Sequence, residues 1–252
     1  LCVGRTPHMA VGALGIFKSD GVYVPLDPNY PADRLAHMVE TTTPTIILTE
    51  KALKDRLPPS DATVICLDAE WDKFEPMSTD NPEHLGHAEH ACYVLFTSGS
   101  TGKPKGIVVA HKSWRNMALA QERIDVINED NRLLQFASLS FSISLWGAFM
   151  GFLGGGTVYQ VNDDQSLPGD ALIGLLRKER INILTWPVSM LATFPPEGLP
   201  DLKTVISSAE PCTEAVVERW KGDGRRFMNM YGNSEVSLGS TVYEYYDGAL
   251  FT

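Results

Sequence analysis

At 252 residues, with 44% apolar side chains and a formal net charge of −10, the chain can bury one large core or two coupled lobes. Polyanion binding draws on clustered Lys and Arg, which are absent here, so a nucleic-acid surface is excluded and any anionic ligand has to be held locally, by a loop. Gly, Lys, Asp and Pro interrupt every apolar run short of the roughly 20 residues that cross a bilayer, which predicts a soluble, cytoplasmic protein.

No charged n-region and apolar h-region follow Leu1, so the chain is expected to begin inside something larger rather than with a secretory signal. Cys2, Cys66, Cys92 and Cys212 are widely spaced, lack a CxxC or Cys/His pairing, and read as reduced thiols. Along the chain, Pro25-Leu26-Asp27-Pro28 and Tyr30-Pro31 read as rigid turns ahead of a helix. Short buried strands are predicted at 44–49 and 63–67, a Pro-containing acidic surface connection at 70–89, and a strand at 91–96 that enters a glycine-rich turn. Strands follow at 106–110, 133–137, 157–161, 182–185, 204–207 and 227–230, alternating with helices at 111–124, 144–153, 170–180, 188–194 and 213–221. Such alternation belongs to the α/β class, with layered parallel or mixed sheets flanked by helices. Two coupled α/β subdomains are expected, about 1–110 and 111–252.

The strongest local signal is Thr97-Ser98-Gly99-Ser100-Thr101-Gly102-Lys103-Pro104-Lys105-Gly106, directly after an apolar strand. Glycines let backbone N–H groups approach an anion, hydroxyls add neutral donors, and Lys103 and Lys105 supply charge. The spacing is not that of GxxxxGK[ST]. This string resembles the phosphate-binding loop of the acyl- and aminoacyl-adenylate-forming superfamily. Residues 21–35, Gly-Val-Tyr-Val-Pro-Leu-Asp-Pro-Asn-Tyr-Pro-Ala-Asp-Arg-Leu, resemble the second core motif of its peptide-synthetase branch, and a mainly architectural role is expected for them. The chain is therefore identified as resembling the N-terminal core of a nonribosomal peptide synthetase adenylation domain.

Asn229-Met230-Tyr231-Gly232-Asn233-Ser234-Glu235 resembles the family's fifth core motif. The resemblance implies that Tyr231 packs on adenine, Ser234 touches the α-phosphate and Glu235 binds Mg²⁺, roles that suit an aromatic face and a hard carboxylate beside phosphates. Asn229 and Gly232 belong to the same nucleotide set. Ala209, Glu210 and Pro211 occupy the place of a Gly-Gly-Glu-x segment that lines adenine, with Ser208 and Ala209 in place of glycines. Glu210 reads equally as a cap for the helix beginning near Thr213.

Residues 136–146 resemble the fourth core motif, in which an Asp after the second Phe pairs with a substrate α-ammonium. Here that position is Ser142, which also reads as a helix N-cap. By position, the other pocket residues are Ile143, Trp146, Thr185, Ile206, Ser208, Met230, Leu238 and Gly239, a largely apolar set without a charged side chain. The resemblance implies ATP- and Mg²⁺-dependent activation of an amino acid or related carboxylic acid as an acyl-adenylate. Loading onto the phosphopantetheine thiol of a carrier protein would follow, beside condensation domains and with room for a small accessory protein. A hydroxy-, keto- or aryl-acid-activating ligase and a non-catalytic nucleotide-binding module remain alternatives. The family's ribose-binding Asp loop, hinge and C-terminal subdomain with its catalytic Lys lie beyond these residues, so the fragment alone is expected to bind better than it catalyses.

Overall fold

The computed structural model describes residues 1–98, 103–124, 126, 128–161, 169–222 and 224–245. It divides into two compact units, Leu1–Trp114 with Ser138–Ser142, and Arg115–Ala137 with Ile143–Thr252.

The first unit opens with α1 (His8–Lys18) and α2 (Ala32–Thr42), followed by β1 (Ile46–Thr49), β2 (Thr63–Cys66), β3 (Ala91–Thr97) and β4 (Lys105–Ala110). β1 pairs with β2 in parallel, and β3 with β4 antiparallel. The turn sequence Pro25–Tyr30 leads into α2 as its prolines predict, and Leu26, Leu35, Met38, Val39 and Ile47 form a small core with Phe96. Helix α1 is not evident in the sequence, because Gly12 and Gly15 each weaken a helix by about 1 kcal/mol. Packing explains one of them: a Cβ at Gly12 would lie 2.5 Å from Leu1 Cδ1.

Glu50, just after β1, ties the start of the chain to this unit. Gly4 N donates to its Oε2 at 2.9 Å, Thr6 Oγ1 to its Oε1 at 2.6 Å, and His8 Nδ1 lies 2.7 Å from Oε1. Burial alone pushes this carboxyl up, but the bonds from Thr6, His8 and Gly4 outweigh it and hold the group below its ordinary value.

Helix α3 (His111–Arg123) spans the division between the units along the chain. The second unit holds β5 (Arg132–Gln135), α4 (Ser142–Leu153), β6 (Thr157–Gln160), α5 (Asp170–Lys178), β7 (Ile183–Pro187) and α6 (Val188–Thr193). It continues through β8 (Thr204–Ser208), α7 (Glu214–Trp220), β9 (Arg226–Tyr231) and β10 (Thr241–Tyr245). Among the described residues its six strands run β10-β9-β8-β7-β5-β6, all parallel except the antiparallel pair β9–β10. Strand β10, absent from the expected set, adds an edge on which Val242 pairs with Met230.

Strand pleating divides the side chains of this sheet between two faces. Leu134, Leu184, Trp186, Val205 and Phe227 turn to one face, against α5, α6 and α7. There Trp186 packs edge-on against Phe194 at 4.9 Å, and Trp220 Nε1 donates to Leu191 O at 2.8 Å. The alternate residues Leu133, Gln135, Ile183, Thr185, Ile206 and Met228 therefore share the opposite face. None of the described helices is long and apolar enough to cross a membrane.

Candidate functional site

The predicted phosphate loop joins β3 to β4. Its flanks are tighter than expected: Thr97 pairs with Lys105 and Phe96 with Gly106, so each strand runs one residue further toward the loop. Gly99, Ser100, Thr101 and Gly102 lie outside the described residues. Thr97 is partly buried, while Ser98, Lys103 and Lys105 are exposed, and neither lysine is in an ion pair among the described residues. His37 Nε2 on α2 donates to Pro104 O at 3.0 Å, while its ring meets Phe96 edge-on at 6.3 Å. The cationic arm of the loop is thus anchored from below by a residue that no motif singles out.

In the second unit, the candidate residues gather at the carboxyl ends of β7, β8 and β9, where parallel α/β sheets bind ligands. Tyr231 ends β9 with 71% of its surface exposed, an open aromatic face where a core residue would be covered. Ser234 and the exposed Glu235 lie in the short 3-10 turn Ser234–Val236. The turn closes on itself, with Val236 N and Leu238 N both donating to Asn233 O, at 3.2 and 3.1 Å, and Ser240 N to Tyr231 O at 2.9 Å. Asn229, on the same face of β9 as Tyr231, has its Oδ1 3.1 Å from the Ser207 hydroxyl. Among the described residues no three His, Cys, Asp or Glu side chains gather around a metal position. Glu235 nevertheless suits Mg²⁺, which takes one or two carboxylates and completes its shell with substrate oxygens and water.

After β8, Ala209 has φ of +69°, in the left-handed region that glycine occupies freely. The backbone thus keeps a glycine-like conformation although the side chain has changed. Ser237 and Leu238 are also left-handed, at +62° and +83°, so strain collects in the loops that carry the candidate residues. Ala209→Gly is expected to stabilise the protein by about 1 kcal/mol, since alanine is disfavoured wherever φ is positive. Denaturant unfolding checks this; an unchanged midpoint would show that the strain is absent.

Glu210 corrects one expectation. Its carboxylate accepts from Ser189 N at 2.6 Å and Ser189 Oγ at 2.9 Å, so it caps the start of α6 and not the helix beside it in sequence. That helix, α7, has Thr213 at its N-cap without a side-chain bond. Pro211 is exposed.

The expected pocket residues fall on the face of the sheet opposite the tryptophan core. Thr185 pairs with Ile206, Pro187 with Ser208, and Ile206 with Met228, which places Met230 two residues further on the same face. A Cβ on Gly239 would come 3.1 Å from Met230 Sδ, so the Leu238–Gly239 segment abuts that end of the stripe. Helix α4 covers the same face further along the sheet: a Cβ on Gly151 would meet Val158 Cγ2 at 2.3 Å, and one on Gly147 would meet Gln135 Oε1 at 2.8 Å. Ile143 is partly buried and Trp146 fully buried on this helix, which Ser142 opens. Trp146 Nε1 and Thr185 Oγ1 are buried without a hydrogen-bond partner among the described residues, so the set is less purely apolar than its composition suggests. Gln135, 2% exposed and beside Thr185 on the neighbouring strand, belongs to this face although no motif includes it. Its signal is an amide directly after the apolar pair Leu133 and Leu134.

The family described as AMP-binding enzyme matches residues 1–250. A linear gramicidin synthase of Brevibacillus parabrevis is 39% identical over 242 residues, which cover 96% of this chain and 3% of that protein. Among solved structures, the nonribosomal peptide synthetase FmoA3 in its α-methyl-L-serine-AMP bound form matches with a TM-score of 0.87 at 25% identity, over 96% of this chain and 28% of that one. A four-domain nonribosomal peptide synthetase, holo-AB3403 bound to AMP and glycine, matches with a TM-score of 0.80 at 25% identity, over 98% of this chain and 18% of that one. The chain thus spans a small fraction of the length of its relatives. It belongs to the AMP-binding enzyme family, with the adenylation domains of nonribosomal peptide synthetases as the relatives that its motifs predicted.

Proposed function

We propose that this chain is the ATP- and acid-binding core of an adenylation domain that activates an amino acid with an uncharged side chain, in the cytoplasm, for loading onto a carrier-protein thiol. The observation that carries this reading is the gathering of Thr185, Ile206, Ser208, Tyr231 and the 232–239 turn at the carboxyl ends of parallel strands, within a chain of the AMP-binding family. A carboxylate oxygen of the substrate attacks the α-phosphorus of ATP. The bond from that phosphorus to the pyrophosphate oxygen breaks, giving acyl-AMP and pyrophosphate. The thiol of a phosphopantetheine arm then takes the acyl group and AMP leaves.

In this reading Thr97 and Ser98, with Gly99 to Gly102, hold phosphate oxygens, and Lys103 and Lys105 balance their charge. Tyr231 stacks on the adenine and Ser234 donates to the α-phosphate. Glu235 would hold Mg²⁺, which would supply charge neutralisation at the phosphates. Ser142 faces the substrate end.

Pyrophosphate exchange over a panel of amino, hydroxy, keto and aryl acids tests the proposal, using the synthetase that carries this chain. Exchange with an α-amino acid is expected. Lys103→Ala combined with Lys105→Ala should slow it about 100-fold, in the range of a lost transition-state donor. Both lysines are exposed, so folding stability should change by less than about 0.5 kcal/mol. A large fall in melting temperature at unchanged exchange rate would remove the lysines from the reaction. Exchange with acids lacking an α-amine alone would favour the keto- or hydroxy-acid reading instead.

A further inference from the structure

Asp27 is 9% exposed, deep enough that a carboxylate there needs hydrogen-bond partners. It has two. Asn29 N donates to Oδ1 at 2.9 Å, a local turn, and the hydroxyl of Ser138 donates to Oδ2 across 111 residues of sequence. A turn cap alone would have been complete with the first of these bonds.

The base beneath Asp27 is rigid. Pro25 and Pro28 fix φ on either side, Leu26 N donates to Leu1 O at 2.8 Å, and Tyr30 N to Asp27 O at 3.0 Å. Ser138 then passes that rigidity along the chain. Its hydroxyl oxygen accepts from Ser140 N at 3.3 Å, and its carbonyl accepts from Phe141 N at 3.0 Å. The turn so closed delivers the next residue, Ser142, to the first position of α4. Residues Ser138–Ser142 group with the first unit although the chain on either side of them belongs to the second.

From this geometry we infer that Asp27 is a positioning residue for the substrate end of the site, acting through Ser138 to set where Ser142 stands. The inference rests on the reading of Ser142 as substrate-facing, and it gives the 21–35 motif a part in the reaction beyond architecture.

The test uses the synthetase that carries this chain. Asp27→Ala and Ser138→Ala should each raise KM for the carboxylic acid about tenfold in pyrophosphate exchange, within the losses that small misplacements cause. KM for ATP should stay at its wild-type value. Asp27→Asn, which keeps an accepting oxygen, should recover most of the loss, and the double alanine variant should be no worse than either single one, because the two residues act through one bond. An unchanged acid KM in Ser138→Ala, or an equal rise in KM for ATP, would overturn the inference. Amide hydrogen exchange read by mass spectrometry over 136–146 tests it without turnover. Exchange at 138–142 should quicken in Asp27→Ala, and unchanged exchange refutes the positioning role even for a wild type that activates no acid. A wild type that activates no acid, by itself, counts against the proposed activity alone.

Discussion

Replacing Gly232 by alanine is expected to break open the turn after β9, destabilising the second unit by about 3 kcal/mol and removing measurable nucleotide binding. A Cβ at this position would lie 1.8 Å from Leu238 O, 2.5 Å from Leu238 C and 2.9 Å from Gly239 Cα. These are backbone atoms, and they cannot swing aside as the end of a side chain can. Leu238 is in addition already left-handed and its N–H is bonded to Asn233 O, so yielding there means breaking the closure of the turn. Tyr231, Ser234 and Glu235 all ride on that closure. Thermal unfolding and calorimetric titration with ATP and Mg²⁺ check the two parts separately. A variant that melts with the wild type and still binds would mean that the turn has more room than these distances give.

Ser142→Asp should lower KM for an α-amino acid substrate by roughly 10- to 100-fold, because a charge-assisted bond to a buried ammonium contributes about 1.5–3 kcal/mol. The position is partly buried, at the head of α4. A serine there offers a hydrogen bond without charge, so an ammonium bound beside it would have part of its desolvation cost unmet. Were the natural substrate to lack an α-amine, the same carboxylate would be buried without a partner and activity would fall. The two substrate classes therefore move in opposite directions. Pyrophosphate exchange with wild type and variant over amino, hydroxy, keto and aryl acids reads the sign, and loss of activity on the wild type's best substrate would reject the amino-acid assignment.

Much of the second unit is legible in the sequence because its strands are short apolar runs bounded by glycine, proline or charge, each followed by a stretch with helical period. The predicted strand at 204–207 and helix at 188–194 differ from β8 and α6 only by a terminal residue. Helix α1 escapes such a reading because its stability comes from close packing at Gly12 rather than from a polar and an apolar face. The partner of Glu210 escapes for another reason. A carboxylate three or four residues ahead of a helix suggests a cap for that helix, but Ser189 lies 21 residues upstream and meets Glu210 only once β7 and β8 pair. Ala209 shows the reverse case, in which a substitution weakens the motif on paper while the backbone keeps the left-handed turn that the motif encodes. His37 is invisible as a site residue and Gln135 shows only as an amide beside apolar residues, since what they touch is set by the β3–β4 hairpin and by strand order.

If the proposed pocket holds the substrate, the stripe across β7, β8 and β9 sets how substrate choice can drift. Neighbouring strands lie about 4.8 Å apart, so Thr185 and Ile206 share a boundary, whereas Thr185 and Met230 are separated by the whole width of β8, about 10 Å. Side chains that touch constrain one another's replacements, while those beyond about 7–10 Å change almost independently. Evolution can therefore remodel the Met230 wall, with the glycine of Gly239 resting on its sulfur, without renegotiating the Thr185 wall beside Gln135. Changes to Ile206, which pairs with Thr185 on one side and Met228 on the other, require both of those neighbours to answer.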